Sequence, residues 1–465
     1  LQCLEQMHVS RDSVTFLCAL KACIIIDSIS EGQKMHIEIV KYGLESELLV
    51  GTRLVSMYSK SRMFAEAHAV FDILPIRDTI VWNTLIAGYA EDFQCEEALQ
   101  CFELMQKCKV AADPGSVVSS LKACAIAGDE TKGKEIHMQI LKQGLQGELL
   151  VNNSLIDMYG KCGLIAEAEE IFNKLLVRDE VSWNVLIAGY VELGCSEKAL
   201  DCFGQMQKEG ICPGKVTYIF VMKTCRSIRS RRKAQELHHG IFLMGLDKDI
   251  VIGNTMVDMY SKCGSLMEAH HVFFRLSHRT VVSWTALISG YVENGHGEEA
   301  IDWYEQMQDD GISAVTGTFA CILKVCTSTI ALEKAKAIHA DTVKTLEGDI
   351  FVGNSLIDMY AKCSLRGEAQ CVFEKVVVQD EVSWNSLIAG YSEHGYWEEA
   401  LDKFRQMQYK GISPDDVTFI CTLKVCSCIG AIDKGQDIHA MISARGFETN
   451  IFIGNALLIC MPKVA

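Results

Sequence analysis

Four tryptophans, Trp82, Trp183, Trp284 and Trp384, follow one another at steps of 101, 101 and 100 residues, each inside one phrase: VWNTLIAGY, VSWNVLIAGY, VSWTALISGY and VSWNSLIAGY. Independent markers keep the same step. Cys23, Cys124, Cys225, Cys326 and Cys426 recur in LKAC-like phrases, and His36, His137, His238, His339 and His439 each follow their cysteine by 13 residues. A third set, MYSK, MYGK, MYSK and MYAK, ends at Lys60, Lys161, Lys262 and Lys362. Self-similarity at a fixed step is the signature of stacked copies, and it overrides any reading of the chain as a set of unrelated domains.

A step of 101 residues is too long for one supersecondary element, and it divides as 35, 35 and 31. Tryptophan units of 35 residues occupy 79–113, 180–214, 281–315 and 381–415. Histidine units of 35 occupy 13–47, 114–148, 215–249, 316–349 and 416–450, the fourth one residue shorter. Short units of 31 occupy 48–78, 149–179, 250–280 and 350–380. These thirteen complete units leave a partial unit at 1–12 and a truncated short unit at 451–465. Each unit reads as two helices. In 180–214, Trp183, Leu186, Ile187 and Tyr190 recur at i, i+3, i+4, i+7, Gly194 interrupts, and Ala199, Leu200, Phe203 and Met206 form a second stripe ended by Gly210 and Pro213. A hairpin this small cannot cover its own apolar face, so neighbours must stack. The expected fold is all-α, a right-handed α-solenoid superhelix of twenty-six helices, two per unit.

Composition agrees with continuous packing: 49% of the 465 residues are apolar and only 5 are proline, so linkers are missing. No apolar run approaches the ~20 residues that span a bilayer, and LQCLEQMHVSRD lacks the basic start and apolar stretch of a secretory signal. The chain begins inside a repeat and without Met, so a targeting segment is expected outside it. The 21 cysteines, with no secretion signal, read as small buried hydrophobes rather than a disulfide framework. A net charge of −16 leaves room for a polyanion only along a local stripe.

The phrase VSWNVLIAGYVELGCSEKALDCFGQMQKEGICPG resembles a pentatricopeptide repeat, and the rotation of tryptophan, histidine and short units resembles the P-, L- and S-type units of the PLS subclass of plant pentatricopeptide proteins. The resemblance covers essentially the whole chain. It implies single-stranded RNA binding in mitochondria or chloroplasts, one base per repeat, and for the subclass a role as specificity factor in C-to-U RNA editing. The editing deaminase of the subclass lies in a C-terminal extension not present in this sequence. The last unit opens as NIFIGNALL and departs at ICMPKVA, so the chain is expected to be a fragment, or a truncated form dependent on a deaminase-bearing or editing-complex protein in trans.

Physical chemistry supports such a use of the repeats, because unpaired bases expose the edges that a few side chains per helical repeat can read. The second position of tryptophan and short units is apolar and is the candidate base clamp: Leu49, Ile80, Leu150, Val181, Val251, Val282, Phe351, Val382 and Phe452. The fifth position carries a small polar residue, the candidate base reader: Thr52, Asn83, Asn153, Asn184, Asn254, Thr285, Asn354, Asn385 and Asn455. Asn or Thr near a helix start is also a good N-cap. In the histidine units, however, the fifth position is apolar (Leu17, Val118, Ile219, Ala320, Ile420), and a capping requirement would not vanish every third unit.

The resemblance further implies that the fifth and last residues of a unit together choose the base, Asn with Asp favouring U and Thr with Asp favouring G. On that basis Thr52 with Asp78 implies G, while Asn83 with Asp113, Asn153 with Asp179, Asn354 with Asp380 and Asn385 with Asp415 imply U. Asn184 with Gly214, Asn254 with Thr280 and Thr285 with Val315 depart from the pattern and imply only pyrimidine, pyrimidine and purine. The implied site is 5′-G-U-n-U-Y-n-Y-R-n-U-U-n-Y, with n opposite histidine units. Lys60, Lys161, Lys262 and Lys362, at position 13 of the short units, are candidate phosphate contacts or simply solvated lysines, while tryptophan units carry Glu91, Glu192, Glu293 and Glu393 at that position.

No catalytic constellation is present in the sequence: it lacks GxSxG, a P-loop, a dinucleotide fingerprint, HExxH and the HxE…PCxxC deaminase signature. Each histidine unit supplies one Cys and one His 13 residues apart, too sparse for zinc, which needs about four converging ligands. No metal, cofactor or enzymatic activity is expected, and no membrane association. The rival readings are a protein-interaction scaffold of tetratricopeptide type and an organellar RNA stabilisation or splicing factor.

Overall fold

The structure, a computed structural model, describes residues 12–329, 332–345 and 349–460; the first eleven residues of the partial unit and 461–465 of the truncated one lie outside it. Every described element is helical. Helices pair within each unit, as in Glu180–Glu192 with Ser196–Lys208, and the helix Ile451–Cys460 of the truncated short unit makes twenty-seven where complete units alone account for twenty-six. The chain divides into two compact units, Leu1–Ile228 and Arg229–Ala465, each an α-solenoid of stacked helical hairpins. No helix among the described residues is long and apolar enough to cross a membrane.

The phase of the repeat follows from helix capping. The first residue of every complete unit is the first residue of a helix, so the last residue of the unit before is its N-cap. Asp113, Asp179, Thr280 and Asp415 accept from the backbone N–H of Ser116, Ser182, Ser283 and Thr418, whose hydroxyls reach back to the cap, a reciprocal capping box. Asp249 and Asp349 cap the short-unit helices Ile250–Lys262 and Ile350–Lys362. The fifth residues therefore lie one turn inside their helices, and the N-cap role open to them on sequence grounds belongs to the last residues instead.

Packing repeats as regularly as the sequence. Phe71, Phe172, Phe273 and Phe373 of the short units meet Trp82, Trp183, Trp284 and Trp384 of the next unit nearly edge-on, with ring centroids 4.6, 4.7, 4.8 and 4.7 Å apart. All four indoles are buried. The first helices of the two units also touch backbone to backbone: a Cβ added to Gly390 would stand 2.2 Å from the Ala361 Cβ, which explains the Gly of IAGY. With one helix face committed to these contacts, the other is left to define an open surface.

Candidate nucleic-acid interface

Position two of each first helix points away from the core. Leu49, Ile80, Leu150, Val181, Val251, Val282, Phe351, Val382 and Phe452 are all exposed, from 44% at Val251 to 72% at Phe452. Isolated exposed apolar residues are ordinary, but the same helix position is exposed in four tryptophan and short units of the first compact unit and in five of the second, a row with one register within each.

The fifth residues sit beside this row and lean toward the following unit. Asn83 Nδ2 lies 2.8 and 2.9 Å from the two carboxylate oxygens of Asp113, and Asn385 Nδ2 lies 3.0 and 2.9 Å from those of Asp415. Asn354 donates to Asp380 at 3.1 Å and Asn153 to Asp179 at 3.4 Å. Four of the five fully matched pairs thus meet directly, each at the end of its unit, where the aspartate caps the first helix of the next. The fifth does not: Thr52 donates to the Leu48 carbonyl at 2.6 Å, while Asp78 accepts from the Val81 amide.

The amide oxygens are also engaged. Asn385, Asn354, Asn184 and Asn254 accept from the hydroxyls of Thr418, Ser383, Thr217 and Ser283 at 2.5, 2.5, 2.7 and 2.6 Å. Asn153, Asn184, Asn354 and Asn385 are under a tenth exposed. The fifth residue is therefore a polar strut between units, and its chemistry tracks the third residue of the next unit. Where that third residue is Ser or Thr the strut is Asn or Thr; where it is apolar, as at Val50, Val151, Ile252 and Val352, the preceding fifth residue is apolar too, except at Val81, which follows Thr52. This matching accounts for the apolar fifth positions of histidine units without appeal to base reading. Asn83 and Asn153 are different: each Oδ1 is buried with no hydrogen-bond partner, which leaves an acceptor unmet beside the exposed row.

Burial raises the Asp113, Asp179 and Asp380 carboxyls, but the N–H and hydroxyl of the third residue and the neighbouring Asn outweigh it and hold all three below the ordinary Asp value. They stay ionised and keep the Asn amides oriented. The unmatched pairs show what happens without the carboxylate. Glu180 takes the space a side chain at Gly214 would fill, its Oε1 2.3 Å from that Cβ position, and accepts from Asn184 at 3.4 Å. Thr285 bonds the Thr318 hydroxyl at 2.6 Å, while Val315 is 42% exposed. Thr280 serves as a cap, and Asn455 is exposed on the final helix.

Three of the four position-thirteen lysines have carboxylate partners. Lys161 and Lys362 pair with Asp157 and Asp358 one turn back, both at 2.8 Å, and Lys262 pairs with Glu293 of the next unit. The recurring histidines touch tyrosines: His36, His137, His238 and His339 place Nδ1 2.7, 2.9, 2.9 and 2.8 Å from the hydroxyls of Tyr58, Tyr159, Tyr260 and Tyr360. No three potential ligands among the described residues converge on a metal position.

Comparison with known proteins agrees with this geometry. A model described as the PPR repeat family matches residues 178–227, 279–328 and 379–428, and a PPR repeat model matches 80–110, 153–179 and 254–280. A pentatricopeptide repeat-containing protein of Arabidopsis thaliana is 36% identical over 432 residues, 91% of this chain and 51% of its own length. A mitochondrial relative from the same plant is 35% identical over 99% of this chain and 45% of its own, and a chloroplastic one 32% identical over 92% and 53%. The chain spans about half the length of these curated relatives. Among solved structures, the pentatricopeptide repeat protein PPR10 in complex with an 18-nucleotide psaJ RNA element superposes with a TM-score of 0.68 at 16% identity, covering 98% of this chain and 71% of the other. PPR10 from maize alone gives 0.60 at 17% identity, with the same coverage.

Proposed function

This chain is a pentatricopeptide repeat protein of the plant type, and from that premise we propose that it binds single-stranded RNA selectively along the exposed row of second-position residues. The observation that carries the proposal is the row itself: exposed apolar side chains at one helix position, four in the first compact unit and five in the second, each followed three residues on by Asn or Thr. Bases enter between successive second-position side chains, where apolar contact holds any base and the neighbouring Asn or Thr selects among them. The Oδ1 of Asn83 and of Asn153 lacks a partner and is covered, so each side chain turns outward to accept the N3–H that uracil presents on its pairing edge. The PPR10 complex supports this use of the fold.

The finer reading is that the chain chooses cytidines for C-to-U editing carried out by a deaminase-bearing partner, in a mitochondrion or chloroplast. The three-beat rotation of unit lengths and the organellar names of relatives support it. Selection from random single-stranded RNA tests the binding proposal: enriched sequences should match 5′-G-U-n-U-Y-n-Y-R-n-U-U-n-Y. Failure to enrich any RNA, with peptides retained instead, would favour a protein-interaction scaffold.

A further inference from the structure

The histidine units lack a polar fifth residue, yet each exposes a cation. Position nine of their first helix is lysine five times in five: Lys21, Lys122, Lys223, Lys324 and Lys424, the K of the LKAC-like phrases. All five are exposed. Among the described residues none of the five ammonium groups makes an ion pair or a hydrogen bond; Lys223 Nζ lies 5.8 Å above the Phe220 ring, and the charges of Lys324 and Lys424 act on the Cys321 and Cys421 thiols. Three of the four position-thirteen lysines, by contrast, are paired with Asp157, Glu293 and Asp358.

Helix geometry fixes where these ammonium groups lie. Seven residues at ~100° each return to within about 20° of the starting line, so position nine shares a face with position two, about 10 Å further along the helix. In the histidine units that second position is again exposed where it carries a side chain: Val14 at 64%, Val216 at 50% and Val417 at 46%. Each histidine unit thus brings an unpaired cation to the face on which the base row lies, three in the first compact unit and two in the second.

We propose that Lys21, Lys122, Lys223, Lys324 and Lys424 are phosphodiester contacts, so that histidine units grip the RNA backbone while tryptophan and short units read bases. The inference rests on the RNA-binding reading above. A lysine is a compact point charge suited to phosphate and carries no base information, so the grip acts on every sequence alike. It also gives a chain of net charge −16 five exposed cations that no ion pair neutralises, with which to hold a polyanion.

The test measures affinity for several 18-nucleotide RNAs, selected and scrambled, against potassium chloride concentration. The wild-type chain is compared with a variant carrying Lys→Gln at all five positions, a second carrying Lys→Arg there, and a third carrying Lys→Gln at 60, 161, 262 and 362. The five-Gln variant should lose affinity for each RNA by the same factor. Its log–log salt slope should become shallower by roughly 3, from about 0.7 per phosphate lost on a single strand. The Arg variant should keep wild-type affinity and slope, and the position-thirteen variant should lose less slope than the five-Gln one. A wild-type slope in the five-Gln variant, or a loss confined to particular sequences, overturns the inference and leaves the RNA-binding reading standing. A wild-type chain that binds none of the RNAs overturns that reading and the inference with it.

Discussion

Asn385 and Asp415, the fifth and last residues of one unit, meet at its join with the next, the amide nitrogen 3.0 and 2.9 Å from the two carboxylate oxygens, while the same carboxylate caps the helix Asp416–Ile429. One side chain therefore sets where the next helix starts and which way the amide of its own unit points. Stability and recognition are coupled through it.

The equivalent carboxylate at Asp113 gives a pH-dependent stability. It accepts from Ser116 N–H at 2.9 Å as well as from Asn83. Asp113→Ala should cost about 1–2 kcal/mol, the range for a lost N-cap. Because the folded carboxyl titrates below its ordinary value, its contribution is complete above the unfolded value and is lost as pH falls through the folded one. The melting difference between wild type and Asp113→Ala should be full at pH 7, begin to narrow near pH ~3.8 and close as the pH passes below the folded value; a difference that stays constant into acid contradicts the capping account.

The half-buried histidines add an acid sensitivity of their own. Burial pushes the imidazoles of His36, His137, His238 and His339 below their ordinary value. The unfolded chain then binds protons before the folded one, so stability is present above about pH 6.5 and declines as pH drops through the folded values. The melting temperature should fall between pH 7 and pH 5, and replacing His238 and His339 by Gln should flatten that decline. An equal decline in the variant would place the acid sensitivity elsewhere.

Phe93 occupies a left-handed turn at φ 62°, where Gly194, Gly295 and Gly395 take φ 71°, 82° and 80° in the equivalent positions. Its side chain is 73% exposed, so little packing offsets the strain. Phe93→Gly should stabilise the first compact unit by about 1 kcal/mol, and Phe93→Ala, which keeps a Cβ, should not. Thermal melts of the two variants decide it.

Two glycines in helices should respond to alanine with opposite signs. A Cβ at Gly390 meets Ala361 at 2.2 Å, whereas one at Gly204 has nothing within 4 Å. Gly390→Ala should destabilise by about 1–3 kcal/mol through overpacking, and Gly204→Ala should stabilise by up to about 1 kcal/mol through helix propensity. Equal effects in denaturant melts would contradict the close helix approach.

The hairpins, their joins and the exposed second positions were legible because periodicity reports which residues share a face. Trp183, Leu186, Ile187 and Tyr190 are one buried stripe, as their spacing requires. Periodicity does not report which residue caps which helix: Asn385 and Asp415 are 30 residues apart in sequence, and only the stacking of adjacent hairpins joins them. The apolar Val118 at a fifth position looks like an absent reader in sequence, yet in the fold it continues a matching of polarity with the third position of the next unit. The lysine of LKAC was equally visible, but a Lys in a phrase carries no mark of whether a carboxylate will meet it. The lack of an ion pair, which sets Lys122 apart from the equally exposed Lys161, exists only once the helices are placed.

The most direct test of the central claim is the affinity of wild type and Asn385→Thr for four otherwise identical RNAs that differ only in the base opposite unit 381–415. Asp415 is retained, so the helix keeps its cap. Wild type should prefer U there and the variant should prefer G, with other positions unchanged and a discrimination of about 1–3 kcal/mol, the scale of one good base-edge contact. An unchanged preference for U in the variant, or equal affinity of wild type for all four bases, would show that the fifth residue joins units without reading RNA.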